Sequence, residues 1–434
     1  MRLRSAYDRE ILSLALPALG ALAAEPLYIL VDTAIVGHLG RSQLAALGAA
    51  ATVLSVLATF NFLQYGTTAQ VARASGAGAD ETARRLGAQA LWLSLGVGIV
   101  LAGAIALWSE PIVALVGVEG ETADYAATYL RIVAIGVPSF FLALGGQGYL
   151  RGVSELTAPL VLIALGNVLN VILEVLFVYG FDWGIEGSAW GTAIAQSCMG
   201  IGFLWLILRR VGRAHVAPVL ALARRLLSVG KFLFLRTIAL TGAFLLAGAV
   251  VARQGDAELG AYQISFQLFI FLALVLDAIA IAGQIIVGRE LGAGRPARAF
   301  DASVRMIALS VVAGSLFSIA LLALSEVLPR IFTSDAEVLA QCALLWPIFA
   351  LMQPASGAVF ALDGILIGAS DGPYIAASMV VAFTLCGLAL VVALAADWGV
   401  RGVWGALAVL IAARLVTMTA RFVRRRWLVT GWAG

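Results

Sequence analysis

The chain contains the same sequence pattern twice, about 215 residues apart, and this duplication limits the folds that it can adopt. Three motifs recur in the same order: R-x-x-G-x-G at 73–78 and 289–294, G-x-S at 152–154 and 368–370, and a W-G repeat at 183–191 and 398–405. Ordered matches at a nearly constant offset indicate two homologous halves. The fold must therefore be one that a single half forms and a second copy repeats.

Both halves are too apolar to belong to a soluble domain. Hydrophobic residues make up 62% of the chain and charged residues only 12%, against about 25% in soluble proteins, and the mean hydropathy is +1.00. Crossing a bilayer takes about 20 helical residues. Runs of that length lie at about 11–36, 44–70, 86–108, 125–150, 157–180, 188–208, 228–252, 259–287, 303–325, 338–368, 373–396 and 402–422.

These runs predict an all-α integral membrane protein with twelve transmembrane helices in two pseudo-symmetric six-helix lobes. We place the N-terminal lobe at 1–208, a basic cytoplasmic linker at 209–227 and the C-terminal lobe at 228–434. Because each half has an even number of spans, both halves enter the membrane the same way up and form a parallel repeat.

The basic residues predict the orientation. If the N-terminus is cytoplasmic, most of the 28 Lys and Arg residues fall on the inner side, including Arg2, Arg4 and those of 209–225 and 421–426. The positive-inside rule then places both termini in the cytoplasm. We expect a multi-pass protein of the cell (plasma) membrane, and a net charge of +3 that reflects topology and contact with lipid, not nucleic acid.

The sequence offers little for enzymatic chemistry. Its loops are too short for a catalytic domain, and Cys198, Cys342 and Cys386 fall in separate spans without metal-binding spacing. The glycine-rich motif at 73–78 lacks the Gly-Lys-Ser/Thr ending of a phosphate loop. We therefore expect no enzyme activity, no metal and no cofactor. A repeated membrane chain of this kind is typical of secondary transporters, which use an ion gradient.

Carboxylates within the spans are the candidates for coupling to a gradient, because ionisable groups are costly at membrane depth. In the first span Glu25, Tyr28 and Asp32 are spaced i, i+3, i+7, which places them on one helical face. The fifth span repeats this spacing with Asn167, Asn170 and Glu174.

In the sixth span Thr192 can add a hydroxyl to these two stripes. Oxygen-rich stripes suit a proton or a sodium ion. The alternative is that the groups only join helices, at about 0.6 kcal/mol per hydrogen bond.

Three segments resemble the multidrug and toxic compound extrusion (MATE) family, in particular its branch named after the DNA-damage-inducible protein F. They are V-D-T-x-x-V-G-x-L-G at 31–40, L-D-A-x-A-x-A-G-Q at 276–284 and F-A-L-D-G-x-x-x-G at 360–368. The resemblance covers the whole chain. It implies two six-helix lobes that expel drug-like, often cationic compounds in exchange for protons or sodium.

The resemblance also implies a coupling site. The first-span acid, here Asp32, would join an Asn and an acid four residues later in the fifth span, and a Thr in the sixth. Asn170, Glu174 and Thr192 occupy those places. Glu174 replaces the Asp of some relatives, and its longer side chain changes the coordination geometry on which the choice of ion depends.

The second half has its own acids, Asp277 in the eighth span and Asp363 in the tenth. Some branches of the family couple through second-half acids. Here the seventh span has Arg236 where some relatives have Glu, so we keep the coupling site in the first half. Arg414, in the last span, can neutralise Asp277 or Asp363 as a buried pair.

Aromatic and Met side chains are candidates for the walls of an adaptable substrate chamber. The candidates are Phe60, Tyr65, Phe140, Tyr149, Phe266 and Met352.

Three functions fit these features to different degrees. We favour a monomeric antiporter, coupled to H+ and/or Na+, that exports drug-like organic cations or amphiphiles. The first alternative is a flippase for lipid-linked oligosaccharide precursors, which needs a basic groove that only Arg131, Arg236 and Arg414 can supply. The second is a sensor or channel, for which the repeat and the buried acids have no evident use. Protons are favoured over sodium because two carboxylates close together in a dry site cannot both stay ionised.

Overall fold

The computed structural model describes residues 6–432, apart from the side chains of Ala6 and Arg213, and helices form almost all of that range. Ten of these helices are long and apolar enough to cross a membrane, and two bent pairs of shorter helices bring the number of spans to twelve. Arg2 and Arg4, used above for orientation, lie outside the described residues. The twelve predicted membrane helices are therefore confirmed.

The contacts divide the chain into two compact units. The N-unit is Gly20–Gly230, and the C-unit is Met1–Leu19 together with Lys231–Gly434. This division differs from the predicted lobes mainly at the first helix, whose first turns belong to the C-unit.

The N-unit follows the first half of the sequence. It contains the later part of α1 (Ala6–Gly37), then α2 (Arg41–Ser55), α3 (Phe62–Gly76), α4 (Asp80–Leu107), α5 (Ser109–Val116), α6 (Glu121–Val133), α7 (Val137–Gly152), α8 (Thr157–Val175), α9 (Gly184–Val211) and the start of α10 (Leu220–Val251). Short 3-10 segments at Val56–Asn61 and Arg213–His215 and a π turn at Leu176–Gly180 complete it.

The C-unit repeats this plan. After α10 it contains α11 (Asp256–Gly292), α12 (Pro296–Ala323), α13 (Leu328–Phe332), α14 (Ala336–Leu351), α15 (Gln353–Gly368), α16 (Gly372–Ala395) and α17 (Gly399–Val423). One difference is local: α11 is continuous, whereas the corresponding span of the N-unit is interrupted at Val56–Asn61.

The recurring motifs are turns with the same backbone. Gly78 and Gly294 have φ of 72° and 70°, and each follows the end of a helix, where a left-handed residue closes the last turn. Ser154 and Ser370 match in the same way, with φ of 64° and 58°. The glycine motifs therefore serve as helix caps.

Two spans are bent at equivalent places. The α6–α7 pair bends by 53° and the α14–α15 pair by 48°. Pro138 and Pro354 lie in the first turn of the second helix of each pair, where proline is tolerated but cannot continue the preceding helix.

Glycines allow α7 and α15 to pack closely on their neighbours. A Cβ at Gly148 would lie 2.8 Å from the carbonyl oxygen of Gln64, and one at Gly364 would meet the carbonyl oxygen of Ala280. Small residues at such contacts are typical of membrane helices, whose association depends on close packing.

Ion pairs hold the start of α1 in the C-unit. Arg305 donates to both carboxylate oxygens of Asp8, with Nη2 2.8 Å from Oδ2, and Arg289 donates to Glu10. These pairs explain why the first turns of α1 group with the second half of the sequence.

The predicted linker at 209–227 is shorter in the structure, because α9 continues to Val211 and α10 begins at Leu220. The connection is fixed to α4: Gln89 Nε2 donates to the carbonyl oxygen of Ala217 (3.0 Å), and Trp92 Nε1 donates to that of Val216 (2.8 Å). Arg224 and Arg225 fell within the predicted linker, but in the structure they lie on α10.

Candidate functional site

The N-unit encloses a cavity of about 390 Å³ into which several polar side chains project. Its polar lining comes from α1, the end of α2, the 3-10 segment Val56–Asn61, α3 and the helices α6 to α9, with the rest of the wall mostly apolar. The polar and charged lining residues are Glu25, Tyr28, Asp32, Thr33, Ser55, Asn61, Gln64, Tyr65, Tyr129, Gln147, Arg151, Asn167, Asn170, Thr192 and Gln196.

The polar stripe of α1 lies on the wall of this cavity. Glu25, Tyr28 and Asp32 all line it, as their i, i+3, i+7 spacing requires for residues on one helical face. Asp32 is only 6% exposed, whereas Glu25 is open to the cavity.

Helices α8 and α9 add a hydrogen-bonded group beside this stripe. Asn170 Nδ2 donates to Glu174 Oε1 (3.1 Å) and lies 3.3 Å from Thr192 Oγ1. The Thr192 hydroxyl also donates to Glu174 Oε1 (3.3 Å), and it lies 3.1 Å from the Tyr28 hydroxyl. Glu174 is fully buried behind the cavity wall.

The carboxyl groups of Asp32 and Glu174 meet at this point. The two side chains are within hydrogen-bonding reach of each other, and the Tyr129 hydroxyl faces Asp32. Ser188 donates to Asp32 Oδ1 (2.8 Å), but Glu174 Oε2 receives no donor from the described residues. Two carboxylate groups have only acceptors to offer each other, so the contact needs a proton or a cation between them.

Two residues of this site, Ser188 and Tyr129, were missed in the sequence. Ser188 had a signal, because it precedes Thr192 by four residues and therefore shares its helical face. Tyr129 had none, since it is one of two tyrosines in the amphipathic segment Glu121–Val133.

Asn167 has a different role from Asn170. Its Nδ2 donates to the carbonyl oxygen of Ala24 (2.9 Å), which joins α8 to α1. This contact is the helix-joining alternative considered above, whereas Asn170 contacts the acid pair.

The acids of the C-unit are in another environment. Asp363 is 4% exposed and accepts from Arg236, and Arg414 Nη2 lies 3.3 Å from Asp363 Oδ1. Arg414 therefore pairs with Asp363, one of the two acids proposed for it. Asp277 is half-buried on α11.

The six chamber candidates are dispersed. Tyr65 and Phe140 line the N-unit cavity, and Met352 lines a separate apolar cavity of about 310 Å³ in the C-unit. The other three lie in packed regions: Phe60 against Phe141 (5.7 Å between ring centroids), Tyr149 against Gly87, and Phe266 stacked on Tyr262 (5.6 Å).

Among residues 6–432, no three His, Cys, Asp or Glu side chains are grouped so as to hold a metal ion. Repeated membrane helices around a polar cavity, with buried carboxyl groups in its wall, define the class of membrane transporters.

The comparisons identify the family within this class. The MatE family model matches residues 17–176 and again 233–393, once in each half. The chain belongs to this family, that of the MATE transporters.

Relatives match over nearly the full length. DNA damage-inducible protein F of Escherichia coli is 31% identical, with 100% of this chain and 95% of the relative covered. Multidrug resistance protein PmpM of Pseudomonas aeruginosa is 28% identical, with 96% and 93% covered. The solved structure of a mutant of the MATE transporter VcmN of Vibrio cholerae has the same fold, with a TM-score of 0.88 at 20% identity and 98% of both chains covered.

Proposed function

We propose that this protein is a cation-coupled antiporter that exports drug-like organic cations or amphiphilic compounds by alternating access. Family membership supports transport, and similarity to a multidrug resistance protein supports drug-like substrates. The observation that carries the coupling proposal is the contact between the buried carboxyl groups of Asp32 and Glu174 beside the N-unit cavity.

A proton is the simplest particle to join the two acids. One carboxylate oxygen of Glu174 already accepts hydrogen bonds from Asn170 and Thr192, and one carboxylate oxygen of Asp32 accepts a hydrogen bond from Ser188. A single proton between the remaining oxygens supplies the missing donor and reduces the charge of the pair from two to one. Sodium would instead need both carboxylates ionised and several further oxygens in contact with it.

The charge change gives the exchange its direction. With both acids ionised, the cavity attracts a cationic substrate. When a proton enters from the side of higher proton activity, the pair loses one negative charge and its attraction for the cation weakens. Proton entry therefore favours substrate release, and substrate entry on the other side favours proton release.

The flippase alternative needs basic side chains free to face a lipid-linked anion. Arg131 pairs with Glu110 on the surface, and Arg236 and Arg414 both contact Asp363. These arginines are paired with acids, and they do not line the N-unit cavity, where Arg151 is the single basic side chain among the lining residues. The antiporter is therefore the better proposal.

The remaining features of the proposal follow from the same function. Transport needs no catalytic activity and no cofactor besides the coupling ion. We propose a monomer in the cell membrane with both termini in the cytoplasm, surrounded by lipid and without a nucleic-acid partner.

Efflux from proteoliposomes tests the coupling. The purified protein is reconstituted, loaded with the cationic dye rhodamine 123, and given a proton gradient without sodium or a sodium gradient without a proton gradient. We expect the proton gradient alone to drive dye movement against its own gradient. Movement with the sodium gradient only would overturn the proton assignment, and movement with neither would overturn coupled antiport.

A further inference from the structure

The last membrane helix, α17, ends in a basic turn that follows an exposed apolar face. Val409, Val416 and Val423 recur every seven residues, so they share this face, and they are 38%, 68% and 67% exposed. The face is about 21 Å long and suits the hydrocarbon of a bilayer. Three consecutive arginines, Arg424–Arg426, follow directly after Val423 and are all exposed. Positive charge therefore begins where the apolar face ends, which is the level expected for lipid headgroups.

Aromatic contacts hold the basic turn in place. Trp427 is 1% exposed, stacks on Phe422 (5.4 Å between ring centroids) and donates from Nε1 to the Phe422 carbonyl oxygen (3.1 Å). Phe422 in turn stacks on Phe300 of α12 (5.2 Å), and the guanidinium carbon of Arg425 lies 4.3 Å from the centre of the Phe300 ring. The arginines are therefore carried by a packed turn.

The backbone of this turn is fixed as well. Arg425 has a φ of 54°, in the left-handed region that residues other than glycine rarely adopt, and such a conformation persists where surrounding contacts determine it. The Arg425 amide donates to the carbonyl oxygen of Phe422 (3.0 Å), and the Gly431 amide donates to that of Leu291 at the end of α11 (2.9 Å). A ligand of the arginines therefore meets a preformed backbone, which lowers the cost of binding.

The charges of the turn are not offset by neighbouring acids. Arg421, in the last turn of α17, donates to both carboxylate oxygens of Asp371 (2.7 and 3.1 Å). In contrast, the side chains of Arg424–Arg426 form no ion pair with an acid in the part of the chain that the structure describes. The turn thus presents three positive charges beside an apolar surface.

The arginines around the end of α9, the counterpart of α17 in the N-unit, are engaged differently. Arg210 lies 3.4 Å from a carboxylate oxygen of Glu155, and the guanidinium carbon of Arg209 lies 4.4 Å from the centre of the Trp205 ring. On α4, Arg85 pairs with Glu81 (2.6 Å). These three N-unit arginines provide a matched set for comparison with Arg424–Arg426.

We propose that Arg424–Arg426 form a headgroup site for an anionic phospholipid of the surrounding membrane. The guanidinium groups donate to the phosphate oxygens, for which the planar fork of arginine is well suited. The acyl chains lie along the Val409–Val423 face. A soluble phosphate would gain nothing from this face, and a zwitterionic phospholipid carries an amine that offsets its phosphate. The site involves neither the N-unit cavity nor the acid pair proposed for coupling.

Native mass spectrometry of the detergent-purified protein tests the proposal, because it counts bound lipids without a transport measurement. The protein is titrated in turn with anionic phosphatidylglycerol, with zwitterionic phosphatidylcholine and with glycerol phosphate, which has no acyl chains. Each arginine near an anionic membrane surface contributes about a fivefold gain in affinity. For three arginines, we expect phosphatidylglycerol to bind more tightly than either other compound, by up to about 100-fold.

Two triple variants assign the preference to residues. Arg424→Gln, Arg425→Gln and Arg426→Gln together should remove the preference for phosphatidylglycerol over phosphatidylcholine. The matched control combines Arg85→Gln, Arg209→Gln and Arg210→Gln, which removes the same number of charges from the N-unit and should keep the preference.

The wild-type titrations decide the matter if the first triple variant does not fold, and replacing Arg424–Arg426 by lysine then gives a variant that keeps the charge and should keep the preference. Equal affinity of the wild type for the two phospholipids would overturn the proposal. A preference that survives in the first glutamine variant, or that the N-unit control loses to the same extent, would also overturn it. Binding of glycerol phosphate as tight as that of phosphatidylglycerol would replace the lipid with a soluble anion.

Discussion

The two units have the same order of helices, but their buried acids have different partners. In the N-unit, Asp32 and Glu174 contact each other and receive only neutral hydroxyl and amide donors. In the C-unit, Asp363 contacts the arginines Arg236 and Arg414. We infer a structural role for Asp363, which two arginines hold, and we propose the acid pair of the N-unit as the group that exchanges the coupling ion.

The cavities of the two units also differ in the charge of their lining residues. The N-unit cavity has charged groups on its wall, while the C-unit cavity is lined by aliphatic side chains and Met352. A duplicated fold therefore does not imply duplicated function. The homologous halves allow the same substitution to be tested in two environments.

The largest expected effect is on transport, from Asp32→Asn. The amide keeps the shape and hydrogen bonds of the side chain but cannot share a titrating proton with Glu174. Dye efflux driven by a proton gradient should fall to that of liposomes without protein. Glu174→Gln should have the same result.

Asp277→Asn is the control from the C-unit for this transport measurement, and it should keep most of the efflux. Equal losses in Asp32→Asn and Asp277→Asn at matched expression would place the coupling site outside the N-unit.

The next effect is on stability, from Asp363→Asn. This change leaves Arg236 and Arg414 without the carboxylate that they share, and breaking a buried ion pair costs about 3–5 kcal/mol. The melting temperature in detergent should fall markedly, whereas Asp32→Asn should leave it nearly unchanged. Similar melting temperatures for the two variants would remove the distinction between the units.

A smaller effect is expected from the close helix contacts. Gly148→Ala and Gly364→Ala place a methyl group against the carbonyl oxygens of Gln64 and Ala280, and overpacking of this kind costs about 1–3 kcal/mol. Both variants should lower the melting temperature. Gly405→Ala, where a Cβ meets nothing within 4 Å, is the control and should have little effect.

The smallest effect is expected from Asn167→Ala. It removes one hydrogen bond to the backbone of α1, which is worth about 0.6 kcal/mol between membrane helices. Coupled efflux should continue with an unchanged pH dependence. A shift of the pH profile as large as that of an acid variant would make Asn167 part of the coupling site.

The sequence predicted the fold well, because apolar runs of bilayer length and ordered repeats leave few alternatives. It also indicated the α1 stripe, since helical periodicity determines which residues share a face. It could not place Tyr129, and the spacing alone did not separate Asn170 from Asn167, which only the family resemblance distinguished, because those differences depend on how α6, α8 and α9 pack in space.

The boundaries were harder to predict for a related reason. Hydropathy marks where a helix enters the membrane, but it does not record which helices the ends contact. The grouping of the first turns of α1 with the C-unit depends on Asp8 and Glu10 meeting Arg305 and Arg289. Such long-range ion pairs leave no periodic signal in the chain.

These ion pairs also have a consequence for biosynthesis. The partners of Glu10 and Asp8 follow 279 and 297 residues later in the chain. At about 5–20 residues per second, the start of the first helix must wait roughly 15–60 s before its partners are synthesised. The N-unit sequence, which ends at Gly230, is completed within that interval, while the acidic start of α1 still awaits its arginines. The start of α1 is thus made long before its partners and is among the last segments to reach its native contacts.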